Sequence, residues 1–208
     1  MTDPPYGIDI VKHSGKIGGD KEPTFGKIGG CNVVQSTVYH KIKGDETTET
    51  ARLSYLIMKE ISTNQIIFGG NYFTDFLPPR ACWIVWDKVN GESFFADVEL
   101  AWTSYDKGAK LYSWMWNGMA REGDRKTEGI KRIHPTQKPV GLFVKILEDF
   151  SKQEEKILDL FAGSGPIVIA AEQTNRVAYL MEYEPYYCDV IIDRWEQFTG
   201  KKAKKITG

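Results

Sequence analysis

Four residues near the start of the chain, Asp3-Pro4-Pro5-Tyr6, combine an acid, two prolines and an aromatic ring. The Asp3 carboxylate and the Pro4 carbonyl are neighbouring hydrogen-bond acceptors, which suits an amino group carrying two N–H bonds. Pro4 and Pro5 fix φ and remove the backbone N–H at both positions, so these acceptors are held stiffly. The exocyclic amine of a nucleic-acid base is a poor nucleophile, because its lone pair is delocalised into the ring. A site that accepts both N–H bonds pulls that nitrogen toward a tetrahedral shape. Tyr6 adds a ring on which a base extracted from a duplex would stack, an interaction worth about 1–3 kcal/mol. Taken alone, the same four residues are also a plain Pro-Pro turn.

A second cluster lies far along the chain. Phe161-Ala162-Gly163-Ser164-Gly165 follows the apolar run Ile157–Phe161 and precedes a stretch of small and branched residues. A glycine turn between strand and helix is where an open α/β sheet binds a nucleoside-like ligand. The third glycine of the dinucleotide fingerprint is missing, so the turn need not cradle a pyrophosphate. Glu182 ends the next strand, about 20 residues on, where an acid accepts hydrogen bonds from both ribose hydroxyls. A ribose with an acid and no phosphate cradle fits S-adenosylmethionine better than a dinucleotide. Glu184 is the competing acid, its other role being charge in the first turn of a helix.

The elements that must position these clusters follow from periodicity. Residues 11–50 are rich in Gly, Lys and Thr and predict a long mobile loop on the substrate side. Leu53, Leu56, Ile57 and Ile61 fall on one face of a helix. Gln65–Gly69 and Cys82–Trp86 have buried-strand patterns, with Trp83 and Trp86 as core. Ala96, Val98, Leu100 and Trp102 alternate with Asp97, Glu99 and Thr103 in strand fashion. Residues 104–133 are polar with scattered aromatics and read as a loop. Pro139 suits the start of a helix with Val140, Phe143, Val144 and Leu147 inward. Val177–Met181 is a strand, and a last helix turns Tyr187, Ile191 and Trp195 inward. Strands alternating with helices predict an α/β doubly wound, mostly parallel sheet with a cofactor-binding half over 134–198.

The 208 residues suffice for one domain with a real core. The composition, 41% hydrophobic and 26% charged, is that of a globular protein. No run of about eighteen apolar residues predicts a membrane span, and the start does not have the form of a secretory signal. Cys31, Cys82 and Cys188 form no Cys-x-x-Cys pair, which suits reduced thiols in the cytoplasm and argues against a metal site. A net charge of −1 requires any polyanion partner to meet a local basic patch. The candidates are Lys126, Lys131, Arg132 and Lys138, or the tail Lys201, Lys202, Lys204 and Lys205, otherwise a solvated end.

Together the motifs resemble the DNA amino-methyltransferases that modify adenine N6 or cytosine N4. The order, catalytic turn first and cofactor glycines last, resembles the β-group permutation of that family. His134-Pro-Thr-Gln-Lys-Pro139 and Glu182-Tyr-Glu-Pro-Tyr-Tyr187 match its flanking segments. Ile66–Tyr72, Trp83–Lys88 and Ala96–Trp102 look like its phage and prophage adenine methylases. The resemblance covers 1–8 and 65–198. It implies the S-adenosylmethionine-dependent methyltransferase fold, with one antiparallel strand, and double-stranded DNA as substrate. It implies that Asp3, Pro4, Pro5 and Tyr6 hold the target base. Asp159, Phe161, Ala162, Gly163, Ser164 and Gly165 form the cofactor turn, in which Asp159 orders the backbone. Glu182 takes the ribose, Thr136 and Lys138 lie by the methionine end, and His134 is a loop histidine. The Asp in the first position favours adenine N6; cytosine N4 is the alternative.

Two departures stand out. The family places a buried strand directly before D-P-P-Y, where this sequence has Met1 and Thr2. Either the chain is cut short there, giving a remnant that binds without turnover, or another segment fills that slot. The stretch between Trp102 and His134 is short for a separate recognition domain. Recognition then falls to residues 11–50, to 104–132 or to a partner in a homodimer. RNA or a protein glutamine is a further class of acceptor for a similar turn.

Overall fold

The computed structural model describes residues 1–11, 41–91, 96–117, 120–128 and 133–206. The predicted loop over 11–50 therefore lies mostly outside the described residues, as do Cys31, Lys131, Arg132 and the side chain of Lys126. Residues 41–48 are held in place: the buried Asp45 carboxylate accepts the backbone N–H groups of Gly7, Ile8 and Ile10.

The first helix, α1 (Glu49–Ile61), is opened by Glu49 and closed near Lys59, charges that suit the two ends of its dipole. It buries Ala51, Ser54, Tyr55 and Met58, with Tyr55 edge-on to Trp102 at 5.7 Å. The apolar face expected from Leu53, Leu56, Ile57 and Ile61 is the exposed one. Periodicity located a stripe correctly but could not say which stripe the core would take.

Strands β1 (Ile66–Phe68), β2 (Trp83–Asp87), β3 (Val98–Thr103) and β4 (Lys110–Ser113) form one mixed sheet in the order β1-β3-β2-β4. Among them β3 alone runs antiparallel to its neighbours, and β2 and β4 are parallel. Ile84 and Trp86 of β2 are buried, as the alternation requires. In β3, Ala101 and Trp102 are both buried while Val98 is exposed, because only the end of the strand is covered on both faces. The stretch 104–133 is not one loop. It contributes β4, a ribbon of β5 (Trp116–Asn117) with β6 (Ala120–Arg121), and the short helix α2 (Arg125–Glu128). An edge strand needs only one covered face, and Tyr112 supplies it, its hydroxyl donating to Asp149 at 2.6 Å. So short a pattern is easily read as loop.

The C-terminal part begins with α3 (Val140–Phe150), whose first turn is capped from a distance. The buried Glu128 carboxylate accepts the N–H groups of Val140 and Gly141, both at 2.9 Å. Strand β7 (Lys156–Asp159), α4 (Pro166–Gln173), β8 (Val177–Leu180) and α5 (Pro185–Thr199) follow, with β7 and β8 parallel. Pro166 and Pro185 start their helices, and Gly200 in the left-handed region ends α5. Beyond it the tail is exposed, as a solvated end would be, but its first residues are tethered. Lys201 pairs with Glu172 at 2.7 Å, and the Ala203 N–H donates to Glu196. No helix among the described residues is long and apolar enough to cross a membrane.

The sheet of β1 and the strand pair of β7 meet through Thr2. Its N–H donates to the Ile66 carbonyl at 2.9 Å and its carbonyl accepts the Phe68 N–H at 3.0 Å, a parallel bridge to Ile67. On the other side Thr2 Oγ1 donates to Asp159 at 2.6 Å, and the Met1 nitrogen donates to the Leu158 carbonyl at 2.9 Å. Met1 and Thr2 thus enter the slot between β1 and β7, where the resemblance leads to the expectation of a strand, and Asp3 emerges from it.

Candidate active site

Asp3 and the glycine turn, remote in sequence, face one cleft of about 870 Å³. Its walls include Asp3, Pro4, Pro5 and Tyr6 on one side, and Asp159, Phe161, Ala162, Gly163, Ser164 and Glu182 on the other. Thr136 and Lys138 lie between them, and Leu53 and Ile57 from α1 add an apolar wall. Every expected site residue lines this cleft except Gly165, which lies behind the turn.

The glycine turn is built from backbone. Gly163 and Gly165 have φ of 53° and 71°. A Cβ on Gly165 would stand 2.8 Å from Ile191 Cγ1, so this glycine lets α5 close on the turn. At Gly163 the nearest atoms to such a Cβ are those of the His134 ring, 3.4 Å away. Glu182 ties the turn to the end of β8, accepting the Gly163 N–H at 2.7 Å and the Glu184 N–H at 2.9 Å. Its carboxylate keeps further lone pairs for a ligand. Asp159 accepts the Phe161 N–H at 3.1 Å and the Thr2 hydroxyl, so it orders the turn and joins it to the Asp3 side. Ser164 is buried, and Arg194 donates to its carbonyl at 2.6 Å. Thr136 and His134 bond to each other at 3.2 Å, and the His134 ring packs 4.6 Å from that of Tyr187.

The Asp3 side is built from charge. Lys138 Nζ stands 2.6 Å from Asp3 Oδ2 and 2.6 Å from Glu99 Oε1. The Tyr6 hydroxyl lies 2.6 Å from Asp3 Oδ1 and 2.8 Å from Glu99 Oε1. Lys88 holds Glu99 Oε2 at 3.0 Å. Burial raises the Asp3 carboxyl above its ordinary value; Lys138 opposes the rise and Glu99 adds to it. Burial also pushes Glu99 up, but Lys138 and Lys88 outweigh it and hold Glu99 at about 2. Burial pushes the Tyr6 phenol well above its ordinary value, and Asp3 and Glu99 act in the same direction. Burial by itself would lower Lys138, yet Asp3 and Glu99 keep it raised, so it is a cation.

This geometry revises three expectations. Lys138, read as part of a basic patch, is buried on Asp3 and Glu99 and offers no charge to a polyanion. Tyr6 does not present a bare ring, since it stacks on Tyr72 at 5.1 Å and 18°. Glu99 was read as the polar side of an alternating strand, yet it faces the Asp3–Tyr6 turn. Nothing in the local pattern marked Glu99 or Tyr72; the register Trp86↔Glu99 across β2 and β3 places the acid there. No group of three or more His, Cys, Asp or Glu suited to a metal occurs among the described residues.

The fold is thus an α/β domain in which a glycine turn and an acid-proline turn line one cleft. Residues 85–193 match the N6/N4 methyltransferase family model, described as DNA methylase. The chain belongs to that family. The type II methyltransferase M2.MboI of Moraxella bovis is 29% identical over 139 residues, 64% of this chain and 45% of the relative. The type II methyltransferase M.HindIII of Haemophilus influenzae is 40% identical over 52 residues, 25% of this chain and 17% of the relative. The chain thus spans less than half the length of these curated relatives. Among solved structures, the PvuII DNA methyltransferase (cytosine-N4-specific) is 13% identical with a TM-score of 0.51, over 94% of this chain and 78% of that one. The chain shares its methyltransferase fold.

Proposed function

We propose that this protein transfers a methyl group from S-adenosylmethionine to the exocyclic amine of a base in double-stranded DNA, adenine N6 being the target. The observation that carries the reading is the single cleft shared by Asp3-Pro4-Pro5-Tyr6, the Phe161–Ser164 turn and Glu182. The turn fits an adenosine moiety: Glu182 stands at the end of β8, where ribose hydroxyls would meet it, and Gly163 leaves close access. When bound, the cofactor supplies a methyl on a sulfonium, whose C–S bond breaks toward sulfur as the base nitrogen forms its bond to carbon. The residues of this chain supply position, which is worth more than activation when the leaving group is already good. Asp3 and the Pro4 carbonyl accept the two N–H bonds of the amine. Asp3 then takes the proton that the methylated nitrogen sheds, a task suited to a carboxyl raised by burial. Residues 104–133, with their ribbon and edge strand, are the proposed recognition segment.

The test is incubation of the protein with duplex DNA and cofactor, followed by nucleoside analysis. N6-methyladenine is expected. N4-methylcytosine alone would move the target to cytosine, and transfer only to RNA or a glutamine peptide would replace the substrate class. Cofactor binding with no transfer to any of these would leave a binding remnant.

A further inference from the structure

We propose that Glu99 is a positioning residue for the base site, drawing Lys138 and the Tyr6 hydroxyl away from Asp3 so that the Asp3 carboxylate can take up the amine. The inference rests on the reading of Asp3 as the base-binding acid. In the structure both Asp3 oxygens are claimed. Lys138 stands 2.6 Å from Oδ2 and the Tyr6 hydroxyl 2.6 Å from Oδ1. Each oxygen keeps a second lone pair, but an arriving amine must share the carboxylate with a cation and a hydroxyl already bonded to it, and drawing off a buried cation is costly unless another partner waits. Glu99 is that partner for both groups. Its Oε1 is already 2.6 Å from Lys138 Nζ and 2.8 Å from the Tyr6 hydroxyl. Tyr6 has one hydroxyl proton and two carboxylates within reach, so it can leave Asp3 without losing a hydrogen bond.

Lys88 completes the device by holding the other Glu99 oxygen at 3.0 Å, which fixes Glu99 in place. The groups facing Asp3 are thus Lys138 from the segment before α3, Tyr6, Glu99 from β3, and Asp159 at the end of β7. Asp3, Glu99, Lys138 and Lys88 sum to neutrality. The charge of the acid pair rests on Glu99, held at about 2, while Asp3 is raised. Without Glu99, Lys138 would commit wholly to Asp3, holding it ionised and occupied.

The test compares the whole chain with Glu99→Gln and Glu99→Asp. The Asp3 carboxyl is followed by carbon NMR through a pH titration and assigned with Asp3→Asn. In the wild type its midpoint is expected above the ordinary aspartate range; a midpoint below that range would mean Lys138 is already committed to Asp3, and overturns the proposal without any variant. In Glu99→Gln the midpoint is expected to fall by about one pH unit or more, as removal of one nearby charge requires. An unchanged midpoint overturns it too. In methyl transfer, Glu99→Gln should lower kcat about tenfold or more while KM for the cofactor holds, with the acid limb of kcat moved to lower pH. Glu99→Asp, which keeps the charge, should recover most of that loss. A general fall in Glu99→Gln with no movement of the acid limb would assign Glu99 a merely structural role. If the wild type transfers no methyl to DNA, the proposed function fails, and the Asp3 titration still decides the role of Glu99.

Discussion

The two ends of the cleft are held by different physics. The cofactor turn is a backbone structure: two glycines with positive φ, consecutive N–H groups and one acid that buttresses them. The acid-proline turn, proposed to hold the base, is a side-chain structure, in which Asp3 and Tyr6 depend on Lys138 and Glu99. Backbone turns are specified by the residues that form them and tolerate changes elsewhere. A buried charge network is specified by partners far away, and each partner removed leaves another uncompensated. The cofactor end should therefore fail locally and the base end as a unit.

The largest expected effect separates the two ends. Asp3→Ala should lower methyl transfer by about 10²–10³-fold or more, the usual cost of losing one preorganised polar group at a reacting centre. Its cofactor affinity, measured by calorimetry, should change by no more than about threefold. A large loss of cofactor affinity would dissolve the distinction. Glu182→Ala is the converse. Dissociation of S-adenosylmethionine should weaken about tenfold or more, as the loss of charged hydrogen bonds worth roughly 1.5–3 kcal/mol implies. Turnover at saturating cofactor should largely return; a persistent loss of kcat would place Glu182 in the chemistry.

Smaller effects concern stability. Gly165→Ala sets a Cβ 2.8 Å from Ile191 at a φ of 71°. Thermal unfolding should show a loss of about 1–3 kcal/mol. No loss would mean that the turn relaxes and is not the stiff element described. The smallest is a pH effect. Glu99, held at about 2 against an ordinary 4.5, contributes stability that is present above about 4.5 and lost as pH falls toward 2. The raised Asp3 works in the opposite direction over its own range, so the net loss is modest. Between those pH values the melting temperature of the wild type should fall more steeply than that of Glu99→Gln. Equal slopes would remove Glu99 from the network.

The parts of the fold legible in sequence were those with local causes. Ile157–Gly165 read as strand and glycine turn because five consecutive residues carry the signal. The helix start at Pro139 was legible for the same reason, α3 beginning at Val140. The edge strand Lys110–Ser113 was not, since it is short and covered on one side only. The buried face of α1 was not either, because two apolar stripes competed and only packing against Trp102 chose between them. In the site, D-P-P-Y and Glu182 were legible as types at a spacing. Their partners were not, since a lysine and a glutamate in separate segments carry no mark of each other.

The amino-acid sequence by itself determined that an acid-proline turn and a glycine turn exist, because proline fixes its own φ and glycine alone enters positive φ freely, wherever they stand. It also showed the alternation of strand and helix from α3 to α5. Only the tertiary structure decided that the two turns share one cleft. Only it decided that Lys138 bonds Asp3 across 135 positions of sequence, and that a strand residue, Glu99, faces the base site. Those placements follow from strand register and from the slot that Thr2 enters between β1 and β7, and register is a property of the assembled sheet.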